Sequence, residues 1–176
     1  MINFIERTPE WKEYVSGDAT DLNLLENALR KAFEDIDNAL RVHQDSDTQS
    51  TVDSSGCTSN TAMITPTHII CANAGDSRCV LGSNNTATGL SEDHKPFDVA
   101  EKKRIEAAGG FVQYKRVDGD LAVSRALGDF QYKTRPDLPF SHQKVTCMPD
   151  ILRHVRSPND DVLLLACDGL WVSKLL

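Results

Sequence analysis

The sequence lacks any long apolar run and any closely spaced pair of cysteines. No stretch is apolar over the roughly 20 residues that a membrane-spanning helix needs, so we expect no such helix. The first residues, MINFIERTPEWKEY, have no sustained apolar core, so we expect no secretory signal. Five cysteines without a C-x-x-C pair argue against a disulfide framework or a structural zinc site. They favour a reducing, intracellular compartment, cytoplasmic or nuclear.

Concentrated positive charge is missing as well. The 176-residue chain has 19 Lys and Arg residues against 26 Asp and Glu residues, which gives a formal net charge of -7. Binding to nucleic acid needs clustered basic side chains, so we expect no nucleic acid partner. The excess of carboxylates suits a divalent cation, although a solvated acidic surface has the same composition.

One long helix is predicted over Asp21–Val42. Its apolar residues recur three or four positions apart, which places them on one helical face. The residues that share this face are Leu22, Leu25, Leu29, Ala32, Phe33, Ile36 and Leu40. The pattern is typical of a helix that packs against a core and has no chemical role.

After Cys57 the sequence changes to short apolar segments rich in β-branched residues and separated by turn residues. The predicted strands are Thr61–Thr65, His68–Ala74, Arg78–Leu81, Thr86–Leu90, Phe111–Gln113, Tyr114–Val117 and Val162–Cys167. The last of these is apolar without alternation, so we expect it to be buried on both faces. Short helices are predicted over Val99–Ala108 and near Val123–Leu127. Strands joined by short turns, with helices in separate blocks, predict an α+β fold.

Two aspartates lie directly after predicted strands. Asp76 follows His68–Ala74, Asp168 follows Val162–Cys167, and each has a glycine neighbour. A carboxylate at a strand end is held by a rigid scaffold and can face a cleft, and Mg²⁺ and Mn²⁺ prefer such oxygen ligands. Aspartates beside glycine are also common in ordinary turns, where they bond to nearby amides.

Three segments resemble motifs of the metal-dependent type-2C protein serine/threonine phosphatases. They are Asn73–Arg78 (NAGDSR), Arg116–Phe130 (RVDGDLAVSRALGDF) and Ala166–Trp171 (ACDGLW). The segments occur in the family's order, and the resemblance runs from about Leu22 to Trp171. Several separate motifs in one order make it specific.

The resemblance implies a four-layer α-β-β-α sandwich of two antiparallel sheets flanked by helices. We expect residues 1–176 to form a single, partial phosphatase-like domain, truncated at both ends. The chain has no counterpart of the family's N-terminal DG-x-x-G segment, phosphate-binding arginine or late metal-binding aspartate, and Val172 stands where relatives usually have an aspartate. Open sheet edges would follow, so we expect a poorly soluble or oligomeric protein.

The resemblance also implies a chemistry. It assigns Asp168 to the catalytic metal pair and Asp76 to an additional metal site, with Mg²⁺ or Mn²⁺ as the cofactor. The implied reaction is hydrolysis of phosphoserine or phosphothreonine in phosphorylated proteins by a metal-activated water, without a phosphoenzyme. One alternative stays open: a catalytically silent domain of the same fold that binds a phosphoprotein or a regulator.

For three other side chains we expect a structural role rather than a catalytic one. We expect Arg125 to pair with a buried carboxylate, either Asp129 or Asp120. His94 is expected in an exposed loop without a catalytic role. Cys167 ends an apolar strand, so we expect a buried, inert thiol.

Overall fold

The computed structural model describes residues 1–17, 20–46 and 54–171. The helices are α1 (Ile2–Ile5), α2 (Pro9–Ser16), α3 (Leu22–Ser46), α4 (Val99–Ala107) and α5 (Asp168–Trp171), with 3-10 turns at Phe130–Tyr132 and Phe140–His142. The strands are β1 (Gly56–Cys57), β2 (Ser59–Ile64), β3 (His68–Ala74), β4 (Arg78–Ser83), β5 (Thr86–Gly89), β6 (Val112–Gln113), β7 (Arg116–Val117), β8 (Leu127–Gly128), β9 (Asp150–Val155) and β10 (Asp160–Ala166). None of the helices in these ranges is long and apolar enough to cross a membrane.

The long helix α3 forms the outer helical layer. The middle of its predicted apolar stripe is buried, and Leu25, Leu29 and Phe33 are fully inaccessible to solvent, but Leu40, near the end of the stripe, is 44% exposed. The helices α1 and α2 pack against it. Thr8 caps α2, because its side-chain oxygen accepts a hydrogen bond from the backbone nitrogen of Trp11 at 3.2 Å.

Two three-stranded antiparallel sheets, β2–β3–β9 and β10–β4–β5, form the centre of the fold. Along β3, Ile70 and Ala72 belong to the buried cluster that includes α3. Ile69 and Cys71, on the opposite face, join a second cluster that includes Leu81 of β4. Since side chains of a strand alternate between its faces, the sheet containing β3 lies between the helical layer and the second sheet. The predicted α+β fold, with two antiparallel sheets flanked by helices, is confirmed.

The predicted short helix near Val123–Leu127 is wrong. The backbone nitrogen of Ser124 donates to the carbonyl of His94 at 3.3 Å, and that of Ala126 donates to Thr146 at 3.0 Å. Backbone donors that are bonded to distant segments cannot also close the local bonds of a helix. The next two residues continue this extended course as β8, which pairs with β1.

The burial of β10 also differs from the prediction. Val162, Leu164 and Leu165 are 59%, 42% and 38% exposed, and the Cys167 thiol is exposed rather than buried. The reason is the position of β10, which is an edge strand bonded to β4 with no other described strand on its outer side. The short helix α5 is the only described helix in extensive contact with it, so its outward face is left uncovered. Apolar side chains on an unpaired edge strand favour association between chains. Self-association of this chain therefore stays a prediction.

Candidate functional site

Asp76 lies in the three-residue link, 75–77, between β3 and β4. The link is tight, because Gly75 has a φ of 120° and a Cβ at this position would lie 2.3 Å from Thr58 Cγ2. The carboxylate of Asp76 forms an ion pair with the ammonium group of Lys95. The sequence predicted the turn and its glycine, but it did not predict that Lys95 would pair with Asp76.

Two further charges surround the ion pair. Arg78 donates from Nε and Nη2 to the two carboxylate oxygens of Asp93, at 2.7 and 3.1 Å. Lys95 Nζ is 3.6 Å from Asp93 Oδ2, so it is shared between Asp93 and Asp76. Partial burial alone would raise the pKa of Asp93, but Arg78 and Lys95 outweigh it and hold that pKa below its usual value.

Asp168 is the first residue of α5 and is exposed to solvent. The indole nitrogen of Trp171 donates to the carbonyl of Ala166, which closes this short helix back onto β10. The strands β4 and β10 pair with Arg78 opposite Ala166. Asp76 comes two residues before this last pair on one chain segment and Asp168 two residues after it on the other, both just past the ends of the strands. Both carboxylates therefore lie at the same end of the β4–β10 pair.

The two carboxylates carry oxygen donors of the kind that a hard divalent cation prefers. Mg²⁺ and Mn²⁺ take oxygen ligands and usually keep several waters, and the ammonium of Lys95 shows that a cation is accommodated beside Asp76. Over residues 1–17, 20–46 and 54–171, no three His, Cys, Asp or Glu side chains come together in a group that would hold a metal ion. The donor chemistry fits such a cation, and the small number of donors predicts weak binding by this chain.

A buried histidine fixes the link that contains Asp76. His94 is 4% exposed, so the prediction of an exposed loop histidine is wrong. Its Nδ1 accepts a hydrogen bond from the backbone nitrogen of Gly75 at 3.1 Å, which leaves the ring proton on Nε2. Nε2 donates to Asp150 Oδ2 at 3.1 Å. His94 therefore connects the Asp76 link to the first residue of β9.

Arg125 pairs with two carboxylates that the sequence did not suggest. Its Nε and Nη2 donate to Glu101 Oε1 at 3.1 and 2.8 Å, and its Nη1 donates to Asp150 Oδ1 at 2.7 Å. Glu101 is 4% exposed and also pairs with Arg104, whose Nη1 is 2.8 Å from Oε2. Arg125 therefore links α4, through Glu101, to Asp150, the first residue of β9. Its Nη2 also donates to Asp150 Oδ2, the oxygen that accepts the hydrogen bond from His94.

The predicted partners of Arg125 lie elsewhere. Asp129 has a φ of 51° and lies against Gly56, where burial raises its pKa. Asp120 accepts a hydrogen bond from the hydroxyl of Tyr132 at 3.0 Å. Burial of that hydroxyl, together with the bond to Asp120, raises the pKa of Tyr132 to about 12. The extended backbone around Arg125 directs its side chain to distant elements rather than to these sequence neighbours.

The chain matches known phosphatases in both sequence and structure. Residues 7–173 match the family model described as Protein phosphatase 2C. The chain belongs to the protein phosphatase 2C family. Protein phosphatase 2C homolog 2 of Schizosaccharomyces pombe is 53% identical over 150 residues, which cover 85% of this chain and 40% of that protein. Protein phosphatase ppm-1.A of Caenorhabditis elegans is 43% identical over 166 residues, or 94% of this chain and 34% of that protein.

A solved structure supports the same assignment. The crystal structure of serine-threonine phosphatase 2C from Toxoplasma gondii superposes with a TM-score of 0.81 and 26% identity, over 97% of this chain and 62% of that one.

The match to the family extends further toward the N-terminus than the sequence motifs did. It begins at residue 7 rather than near Leu22, so it includes α2. The chain spans about 40% or less of the two curated relatives. Protein phosphatases 2C are metal-dependent enzymes that act on phosphoproteins; metal binding by Asp76 and Asp168, and a single domain over residues 1–176, stay predictions for this chain.

Sequence reasoning missed three polar residues around the candidate site. Lys95 and Asp150 belong to loops and strand ends whose partners lie far away in sequence. Glu101 had a usable signal: it is four residues before Ile105, which is fully buried, so both share the inward face of α4. An acid on that face requires a buried cation, and Arg125 and Arg104 supply two.

The Glu101 cluster predicts how the stability of this phosphatase domain depends on pH. Burial alone would raise the pKa of Glu101, but Arg125, Arg104 and the hydroxyl of Ser124 outweigh it, and the net pKa lies below the ordinary 4.5. At Asp150, the hydrogen bond from His94 and the charge of Arg125 likewise lower the pKa. Groups with lowered pKa values stabilise the fold above their unfolded pKa and lose that contribution as the pH falls below it. The free energy of unfolding should therefore decline from about pH 4.5 downward.

Urea unfolding between about pH 6 and pH 3 measures this decline. Asp150 is largely exposed and screened by solvent, so the buried Glu101 should carry most of the effect. The variant Glu101→Gln should be less stable at neutral pH and should lose less further stability on acidification. Glu106→Gln, on the exposed side of the same helix, is the matched control. Equal pH slopes for the two variants would contradict the assignment.

Proposed function

We propose that this protein hydrolyses phosphoserine and phosphothreonine in intracellular phosphoproteins, with Mg²⁺ or Mn²⁺ as its cofactor. The observation that carries the proposal is the position of Asp76 and Asp168 at one end of the β4–β10 pair, in a chain of the protein phosphatase 2C family. Both are oxygen donors on a rigid scaffold, as these metals require.

When bound, the metal would lower the pKa of a coordinated water and neutralise charge on the phosphoryl group. Asp168 would hold this metal and Asp76 would hold an additional one, since both residues lie at this end of the sheet. His94 and Arg125 do not reach the metal in this proposal; they keep the Asp76 link and β9 in register through Gly75 and Asp150.

The test is hydrolysis of a phosphothreonine peptide by the purified chain, with manganese, without it, and with a chelator. We expect turnover that requires manganese and disappears with the chelator. An absence of turnover above background at every manganese concentration would overturn the proposal for this chain. Binding of the phosphopeptide without turnover would instead identify a silent binding domain.

The contact between Lys95 and Asp76 predicts competition between the ammonium and the metal. Lys95→Met removes a cation that neutralises the carboxylate, so Mn²⁺ should bind more tightly. Partly exposed ion pairs contribute up to about 1 kcal/mol, which corresponds to an increase in affinity of about two- to fivefold. Electron paramagnetic resonance of free Mn²⁺ measures the affinity directly. Lys115→Met is the matched control, because Lys115 lies over the ring of Phe97 instead.

Unchanged Mn²⁺ affinity in Lys95→Met would show that the lysine does not compete. Weaker binding would show that Lys95 mainly holds the Asp76 link in place. Either result would contradict the prediction while leaving the phosphatase assay to decide the proposed activity independently.

A further inference from the structure

Two adjoining cavities lie along the segment 133–143, which follows β8 and its 3-10 turn. The larger cavity, of about 540 Å³, lies between this segment and Arg41 of α3. The smaller one, of about 410 Å³, lies between the same segment and the side of α4 that carries Lys103. Leu138 lines both cavities, so together they form one groove that runs from α3 to α4.

The groove is lined by cations. No carboxylate lines either cavity within the part of the chain that the structure describes. The formal net charge of the whole chain is -7, so the sign of this surface is opposite to that of the protein. The basic residues that line the groove are Arg41, Lys133 and Arg135 in the larger cavity and Lys103, Arg104 and His142 in the smaller one.

Two of these cations are available to a ligand. Arg41 donates to the carbonyl of Lys133 at 3.2 Å and lies 4.4 Å from the ring centroid of Phe130, and none of the described carboxylates pairs with it. Lys103 is exposed, and the described ion pairs of α4 involve its neighbours Lys102 and Arg104 instead. The other cations are already paired, Lys133 with Asp37, Arg104 with Glu101 and Arg135 with Asp137.

The side of α4 that faces the groove leaves room beside Lys103. Ala100, Lys103 and Ala107 are three and four positions apart, so they share one side of the helix, and all three are exposed. The two methyl side chains leave space for another backbone to lie along the helix next to the ammonium group. Ile105, on the other side of α4, is fully buried and holds the helix against the core.

The segment that forms the floor of the groove is fixed before any ligand binds. Gln143 is 6% exposed, and its Nε2 donates to the carbonyls of Arg135 and Leu138 at 2.6 and 2.8 Å. Its Oε1 accepts a hydrogen bond from the backbone nitrogen of Arg135 at 3.2 Å. Arg104 donates to the carbonyl of Gln143 at 3.1 Å, which ties the segment to α4. A surface that is already ordered loses little conformational freedom on binding.

We propose that this groove binds an acidic, extended peptide segment of a partner protein. One carboxylate of the segment pairs with Arg41 and a second pairs with Lys103. An apolar side chain between them contacts Leu138, where the two cavities meet.

The lining favours a peptide over a nucleic acid. Nucleic acids bind through many phosphate contacts, and only two cations of the groove have no described carboxylate partner. Leu138, Pro139 and Phe140 line the larger cavity and offer apolar surface to a side chain. An acidic peptide with an apolar residue at its centre matches both properties.

Fluorescence anisotropy of a fluorescein-labelled peptide, EEELEEE, titrated with the protein tests the inference. We expect saturable binding that weakens as salt is added, because the pairs form near the solvent. The uncharged peptide QQQLQQQ should not bind, and neither should a single-stranded RNA of the same length. Absence of saturable binding by EEELEEE, or equal binding of the RNA, would overturn the proposal. Neither metal nor phosphopeptide is present, so the result is independent of the phosphatase assay.

Charge-matched variants locate the contacts. Lys103→Gln should weaken binding by about two- to fivefold, as expected for the loss of one partly exposed ion pair. Lys102→Gln removes the same charge one position away, outside the groove, and should leave the affinity unchanged. Arg41→Gln and Arg30→Gln make the same comparison on α3. Because Arg41 and Lys103 line different cavities, their double variant should lose affinity by about four- to 25-fold.

Equal losses in each variant and its control would show binding to overall charge and would overturn the proposal. Should Arg41→Gln fail to fold, the comparison of the exposed Lys103 with Lys102 still decides the question.

A photo-crosslinking peptide identifies the binding surface directly. Benzoylphenylalanine replaces the central leucine of EEELEEE, and mass spectrometry maps the products of irradiation. We expect the label within the segment 133–143 or on α4. A label confined to β10, where Val162 and Leu164 are exposed, would show that the peptide binds the open strand edge and would overturn the proposal.

Discussion

Asp168→Ala is expected to remove nearly all manganese-dependent phosphatase activity while leaving the fold intact. Asp168 is exposed and begins a helix of four residues, so its carboxylate contributes little to the core. In the proposed reaction it would hold the metal, which would supply an activated water for the attack. Metal-based charge stabilisation amounts to several kcal/mol, so its loss should lower the rate by about 100-fold or more.

The measurement compares kcat/KM on a phosphothreonine peptide across a manganese titration, together with the melting temperature. Asp161→Ala is the matched control, because Asp161 is an exposed carboxylate on the same strand pair, near the opposite end of β10. The control should keep its activity. If Asp168→Ala keeps comparable activity at every manganese concentration, Asp168 is not a metal ligand. If both variants lose activity and melt earlier, the effect is structural.

Local patterns predicted those parts of the fold whose contacts are local. The strand His68–Ala74 has the predicted bounds, and α4 ends one residue before the prediction. The 3.6-residue period was enough to predict the apolar stripe of α3, and the neighbouring glycine was enough to predict the turn at Asp76. Because the end of a strand fixes where the next residues lie, the same patterns also located Asp76 and Asp168.

The remaining features depend on contacts between segments that are distant in sequence. The partners of Arg125 are Glu101 and Asp150, 24 and 25 residues away, and no local period encodes such a pair. The extended course around Ser124 depends on a carbonyl of the His94 loop in the same way. An apolar run indicates a strand, but it cannot show whether other elements cover both of its faces, and the outward face of β10 is left uncovered.

A buried ion pair between α3 and the segment after β8 offers the largest expected change in stability. Asp37 is inaccessible, and its Oδ1 is 2.7 Å from Nζ of Lys133, whose side chain is 1% exposed. Lys133 also donates to the carbonyl of Ala126 at 2.9 Å, and the backbone nitrogen of Gly128 donates to Asp37 Oδ1 at 2.8 Å. These bonds join the outer helix to the segment that contains Arg125.

Asp37→Ala should lower the free energy of unfolding by about 3–5 kcal/mol, because it removes the carboxylate that pairs directly with the buried Lys133 ammonium. That is a large part of the roughly 5–15 kcal/mol that stabilises an ordinary domain. Urea unfolding followed by circular dichroism measures the change. The control is Asp35→Ala on the same helix, where the exposed pair with Lys31 contributes only about 0.3–0.5 kcal/mol.

The double variant Asp37→Leu/Lys133→Met separates the charge from the packing. Replacing both partners with apolar side chains removes the uncompensated cation, so the double variant should recover much of the stability that Asp37→Ala loses. This comparison is decisive even if Asp37→Ala does not fold. A double variant as unstable as the single one would show that the hydrogen bonds to Gly128 and Ala126, rather than the balance of charge, hold α3 against this segment.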